Sequence, residues 1–226
     1  MYPAIPLARD IELSADDFHK ITALIYEQCG INLQEGKREL IKARLGKRIR
    51  EGQFNSFREY YQFVVGDSSG QELVHLLDSI STNFTSFFRE PQHFEFLRTK
   101  FLPELIERKR KGERKLSFWS AGCSSGEEVY SLVITLLENL EMSQSWKIKV
   151  LGTDISTKVL KTAESGVYSG ERVQTIPQPF LHKYFLRGDN RWEGFVKVKD
   201  AVKKYTSFAR LNFMETFSFP APFDCV

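Results

Sequence analysis

Apolar residues recur along the first part of the chain at the spacing of one helical face. In "SADDFHKITALIYEQCG", Phe18, Ile21, Leu24 and Ile25 keep that spacing, Ser14 stands where a hydroxyl would cap the first free amides, and Gly30 supplies a stop. "KRELIKARLGKRIREG" carries Ile41, Leu45 and Ile49 at i, i+4 and i+8 and closes on Gly52. "SFREYYQFVVG" and "SGQELVHLLDSISTN" read as further amphipathic helices, so residues 10 to about 88 are expected to be helical throughout, a small bundle of roughly four helices. "EPQHFEFLRTKFLPELIERKRKGER" adds another helix or two, broken at Pro91 and Pro103, and ends in a charged, exposed tail.

The period then changes. "KLSFWSAG" reads as a strand, "EEVYSLVITLLENL" as an apolar helix, "WKIKVLGTD" as a second strand, and "STKVLKTAESG" as a second helix closed by Gly166. Strand and helix in alternation predict an α/β domain with a parallel sheet and right-handed crossovers. "KYFLRGDNRWEGFVKVK" breaks the alternation, because "GDN" between two β-rich runs predicts an inserted hairpin. "YTSFARLNF" and "FDCV" read as the next parallel strands.

Composition narrows the class without choosing within it. With 42% hydrophobic and 27% charged residues in 226, the chain is long enough for one large or two modest globular domains. A net charge of +3 is too small to imply nucleic acid by itself. Cys29, Cys123 and Cys225 are far apart and form no CxxC pair, so neither a disulfide framework nor a zinc site is expected. "MYPAIPLARDIELS" has no signal-peptide pattern, and no apolar run reaches the ~18 residues of a membrane span. A cytoplasmic protein is expected.

The loop in "FWSAGCSSGEEVYSL" is the default ligand position, at the carboxyl end of the first parallel strand. A phosphate-binding loop would carry GxxxxGK[ST], and a dinucleotide fold GxGxxG; neither is present. Glu127 and Glu128 follow Gly126 instead, and two carboxylates there would repel a pyrophosphate docked on the same amides. A positively charged adenosine compound without phosphate fits better, and S-adenosylmethionine is one. A second strand should then end in an acid for the ribose diol, which is where Asp154 stands in "VLGTDIS". Taken alone, Glu127 and Glu128 read equally well as an acid-rich helix N-terminus.

"STNFTSFFREPQHFEFL", "FWSAGCSSGEEVYSLVITL" and "GTDISTKVLKTAESGVYS" together resemble the leading motifs of the chemotaxis receptor glutamate methyltransferases, the CheR family, from about residue 14 to the end. The resemblance implies an all-helical receptor-contacting domain (1–88), a linker helix (89–112), and an S-adenosylmethionine-binding, Rossmann-like α/β domain (113–226) with an antiparallel β-subdomain near 180–200. It implies cofactor contacts from Asn83, Thr85, Arg89, Glu127, Glu128 and Asp154, with Arg89 also beside the reacting groups, and an adenine contact from Asn212 and Phe213. Without it, Asn83 and Thr85 read as capping residues and Arg89 as a solvated charge. No metal is expected. After a strand like "PFDCV" the family continues with a Cys-Arg-Asn motif, an Ile-Tyr-Phe run and further strands, whereas this sequence stops at Val226. A non-catalytic module that binds cofactor or receptor is therefore the alternative expectation, and a methyltransferase acting on RNA or a small molecule a third.

The expected partners are methyl-accepting chemotaxis receptors, with S-adenosylhomocysteine as the spent cofactor. Lys37, Arg44 and Arg48 share one side of the second predicted helix at i, i+7 and i+11, with Arg38 and Lys47 elsewhere around it. These five read either as a solvated face or, through the resemblance, as a basic surface for acidic receptor helices; exposed aromatics of a nucleic-acid surface are not interleaved with them. In some members of the family the inserted hairpin takes a receptor's C-terminal peptide by strand addition. His19, His75, His93 and His182 are scattered and read as packing or surface residues.

Overall fold

The computed structural model describes residues 11–109, 112–140 and 145–226. Residues 1–10, read above for a leader, and positions 110 and 111 of the basic tail lie outside the described residues. The chain divides into two compact units: Met1–Thr82 with Asn212–Thr216, and Asn83–Leu211 with Phe217–Val226.

The first unit is built from α1 (Ala15–Cys29), α2 (Arg38–Glu51), α3 (Phe57–Gly66) and α4 (Gln71–Ile80). The local signals act as expected: the Ser14 hydroxyl accepts from Asp17 N, and Gly30, at φ 73°, donates back to Tyr26 O. Ile41, Leu45 and Ile49 are fully buried against the faces of the other helices. Two arginines of α2 complete the packing. Arg48 forks onto the buried carboxylate of Glu72, with Nε to Oε1 at 2.7 Å. Arg44 donates to the carbonyl oxygens of Ile80 and Ser81, which the end of α4 leaves without helical partners. Helix does not continue to residue 88 as the apolar pattern implied: it stops at Ile80, and Ser81, Thr82 and Asn83 take no regular secondary structure. Short polar side chains of this kind compete with the helix for backbone groups.

In the second unit, α5 (Pro91–Phe96) and α6 (Leu102–Lys109) run into each other through a π-helical turn, Leu97–Phe101. Pro91 starts α5, but Pro103 does not break the segment. The widened turn bonds Leu102 N to Leu97 O, five residues back, and this shift of register admits a ring that has no N–H to donate.

Strands β1 (Lys115–Ala121), β2 (Lys147–Asp154) and β6 (Thr206–Arg210) form a parallel sheet in the order β1-β2-β6. Helix α7 (Glu127–Asn139) crosses from β1 to β2 and buries Val129, Val133, Ile134 and Leu136 with Leu116, Phe118 and Val150 of the sheet. Helix α8 (Thr157–Ser165) follows β2. "FDCV" is not a full strand: it makes a single parallel bridge, Cys225 to Phe118, on the edge of β1 away from β2. Strand order therefore reverses at β1, and the crevice above its carboxyl end is where this architecture takes a ligand.

A second, antiparallel sheet has the order β3-β5-β4, from β3 (Val167–Ser169), β4 (Phe185–Arg187) and β5 (Phe195–Val198). The expected hairpin is β4–β5; β3 adds a strand that its three residues were too few to announce. A 3₁₀ turn at Gly170–Val173 and helix α9 (Gln178–Tyr184) lie between β3 and β4, and the short helix α10 (Asp200–Lys203) leads into β6.

Candidate cofactor and methyl-transfer site

Residues 122–126 leave β1 in a tight turn, with Gly122 at φ 82°, Ser124 at 49° and Gly126 at 91°. A methyl on Gly126 would stand 2.8 Å from Ala163 Cβ, so the turn packs directly on α8. Four of its five amides are occupied. Gly122 N and Cys123 N both donate to Thr153 O at 2.8 Å, Gly126 N to Cys123 O at 3.0 Å, and Ser124 N to Asp154 Oδ2 at 2.8 Å. A phosphate loop needs such donors free and convergent; here four of them are spent inside the protein.

Asp154 ends β2 with one backbone N–H on each carboxylate oxygen, Ser124 N on Oδ2 and Ser156 N on Oδ1 at 2.9 Å. An ionised carboxylate has about four acceptor positions, so two stay open in a fixed orientation, a pattern suited to a vicinal diol. Glu128 is exposed in the first turn of α7, steadied by the Ser120 hydroxyl at 2.6 Å. Glu127 goes the other way. It is fully buried, paired with Arg172, and takes the Ser125 hydroxyl at 2.8 Å. Of the two adjacent glutamates, only Glu128 offers its carboxylate to a ligand.

The segment before α5 joins the turn through Ser124, whose hydroxyl donates to Asn83 O at 3.1 Å. Phe88 and Glu90, flanking Arg89, hold φ of 52° and 54°, a conformation that side chains other than glycine rarely adopt. The Phe87–Phe88 peptide is pinned at both its polar groups: Ser131 Oγ accepts from Phe88 N at 3.0 Å, and Thr175 Oγ1 donates to Phe87 O at 3.0 Å. The Arg89 guanidinium is exposed, donates to Phe84 O at 3.1 Å and lies over the Phe84 ring. Arg89 and Glu128 meet in one cavity of about 450 Å³, floored by Phe118, Trp119 and Leu132, within the size range of small-molecule sites. Neither Asp154 nor Ser124, whose amide it holds, lines this cavity.

The Cys123 thiol is pushed up to about 12, first by burial and then by the charge of Asp154, so it stays protonated. Its place is packing under the turn, not nucleophilic chemistry.

Other expected residues lie in the first unit. The Asn212 amide donates to Gln28 O at 2.7 Å and accepts from Met214 N at 3.1 Å, and Phe213 is exposed. Of the five basic residues proposed for substrate, Arg44 and Arg48 are engaged with α4 as described, and Arg38 with Leu13 O. Lys47 and Lys37 remain at the surface, Lys47 within 3.7 Å of Glu51. Sequence reasoning missed Ser120, Ser124, Tyr168 and Arg172. Small hydroxyl residues crowding the turn are a local signal for the two serines; nothing local marks the other two.

Among the described residues, no cluster of histidine, cysteine and acidic side chains could hold a metal ion, and no helix is long and apolar enough to cross a membrane.

Residues 83–226 match the CheR methyltransferase SAM-binding domain, and residues 16–81 match the CheR methyltransferase all-alpha domain. Over 221 residues the chain is 38% identical to a chemotaxis protein methyltransferase of Borreliella burgdorferi, covering 96% of this chain and 77% of that protein. It is 34% identical to proteins of the same name from Salmonella typhimurium (98% and 74% covered) and Escherichia coli (98% and 75% covered).

Proposed function

Because the chain belongs to the CheR methyltransferase family, with S-adenosylmethionine as its cofactor, we propose that it transfers methyl groups to glutamate side chains of chemotaxis receptors. One observation carries the cofactor part of this reading in the molecule itself. Asp154 is held by two amides with its outer lone pairs turned outward, beside a turn in which four of five amides are spent, an arrangement that favours a ribose diol and disfavours a diphosphate.

The bound cofactor supplies a methyl group already activated on a positive sulfur. Asp154 would hold the ribose hydroxyls, Glu128 would add negative charge for a cationic ligand, and Arg89 would serve the methionine carboxylate and the glutamate substrate. Asn83 and Thr85 complete the cofactor contacts, and the adenine is assigned to Asn212 and Phe213 by the family resemblance. Glu127 acts from behind the turn. A glutamate of pKa about 4.3 is ionised at neutral pH, so no general base is needed. What the protein contributes is alignment, which can lower a barrier by roughly 7 to 11 kcal/mol when it is good. Lys47 of α2 and Lys37 just before it are the cations best placed for acidic receptor helices, with Arg38, Arg44 and Arg48 supporting the helix. The exposed edge of the β4–β5 hairpin, with Leu186 and Trp192 at the surface, suits strand addition by a receptor's terminal peptide. A cytoplasmic location belongs to the same proposal.

Incubation with labelled S-adenosylmethionine and receptor signalling domains should yield base-labile methyl esters, detected as methanol released by alkali. Retained binding of S-adenosylhomocysteine without methanol would favour the non-catalytic module.

A further inference from the structure

We propose that Arg172 and Tyr168 are positioning residues for methyl transfer: from the start of the antiparallel subdomain they clamp Ser125 and Glu127, and so hold the cofactor turn in its binding shape. The proposal rests on the cofactor reading of that turn.

Ser125 is gripped at both ends. The Tyr168 hydroxyl, in β3, donates to the Ser125 carbonyl at 2.6 Å, and Arg172 Nη2, one turn later, donates to the Ser125 hydroxyl at 2.7 Å. The same Arg172 nitrogen pairs with Glu127 Oε1, and the Ser125 hydroxyl donates to Glu127 Oε2 at 2.8 Å, which closes a ring of three side chains. Glu127 is fully buried and Ser125 3% exposed, so the Ser125–Glu127 bond works in a setting of low polarity where hydrogen bonds to charged groups are strong, whereas the Arg172 side chain is 36% exposed and meets Glu127 Oε1 as an ion pair. The guanidinium also lies over the Tyr168 ring, 5.6 Å from its centre.

Both neighbours of Ser125 matter to the ligand. Ser124 gives Asp154 its Oδ2 amide and holds Asn83, and it does so at φ 49°, a conformation that persists only where the surroundings enforce it. Gly126 begins α7 and would meet Tyr168 Oη at 3.3 Å if it carried a methyl. Ser125 therefore sets the turn on either side of itself, and three side chains hold it in place: Tyr168 of β3, Arg172 of the following 3₁₀ turn and Glu127 of α7. The same support reaches the Arg89 segment: Phe87 stands edge-on to Tyr168 at 5.0 Å.

The test compares wild type with Arg172→Met, Arg172→Lys and Tyr168→Phe, the last removing only the hydroxyl bond. Binding of S-adenosylhomocysteine is measured by calorimetry, and amide hydrogen exchange of residues 122–126 is followed without cofactor. Expected are a loss of affinity of tenfold or more in Arg172→Met, a smaller loss in Arg172→Lys and Tyr168→Phe, a raised KM for S-adenosylmethionine with kcat reduced far less, and faster exchange confined to the turn. If Arg172→Met does not fold, Tyr168→Phe decides. Unchanged affinity and unchanged exchange in a folded variant overturn the clamp. Faster exchange in the turn, in a protein whose wild type does not bind S-adenosylhomocysteine, overturns the cofactor reading and leaves the mechanical role of the ring standing.

Discussion

Asp154 illustrates how much a single side chain can be asked to do. It fixes the turn through Ser124 N, fixes the start of α8 through Ser156 N, and keeps two lone pairs outward. Asp154→Ala should weaken S-adenosylhomocysteine binding by at least ~1.5 kcal/mol, about tenfold by calorimetry, since charged hydrogen bonds to the ribose are lost. Asp154→Asn, which can still accept on one oxygen but places a donor where the second amide or hydroxyl donates, should fall between wild type and alanine. Asp154 was legible in the sequence because its meaning is local: an acid at the end of the strand after the turn. Glu127 was not. It sits in the same helical turn as Glu128, and the partner that draws it inside, Arg172, is 45 residues away, on a segment whose placement no local pattern reveals.

At the scale of elements, caps and stripes written into consecutive residues were readable, and side-chain bonds between elements were not. Ser14, Gly30 and the Ile41, Leu45, Ile49 stripe define α1 and α2 by themselves. The arginines of α2 looked like surface charge because their acceptors, Glu72 and the carbonyls of Ile80 and Ser81, belong to α4. Pro103 read as a break because the π-helical turn that accommodates it has no signature of its own. The Arg48–Glu72 pair gives a pH prediction. Its hydrogen bonds to the Arg48 guanidinium hold the Glu72 carboxyl below its usual value, against the opposing effect of burial. A depressed carboxylate adds stability above its unfolded pKa, near 4.5, and loses it as the pH falls through the folded value. Glu72→Gln should therefore cost about 2 kcal/mol at pH 7, with Arg48 partly exposed and the pair discounted accordingly, and the gap between wild type and variant in urea melts should close below pH 4.5.

For the whole molecule, ligand binding and stability are linked. A compound that binds only the folded chain at 100 times its Kd adds about 2.7 kcal/mol. S-adenosylhomocysteine at that excess should raise the melting temperature, while ATP or NAD at the same concentration should not, because the turn offers acids and spent amides where a diphosphate needs free donors. A thermal shift with ATP, lost on Asp154→Ala, would reverse the assignment. The fold class was legible at this scale because the change from a 3.6-residue period to alternating strands and helices survives every local misreading. The division of the chain was not. Asn212–Thr216 belongs to the helical unit although 129 residues of the other unit, Asn83–Leu211, come before it. Gln28 takes the Asn212 amide across a separation of 184 residues. A recombination event, or an engineer, that excised the helical half as one uninterrupted cassette would leave that carbonyl without its donor. The two halves are thus better inherited together than exchanged, and a chimera should carry the 212–216 segment along with the helices it serves.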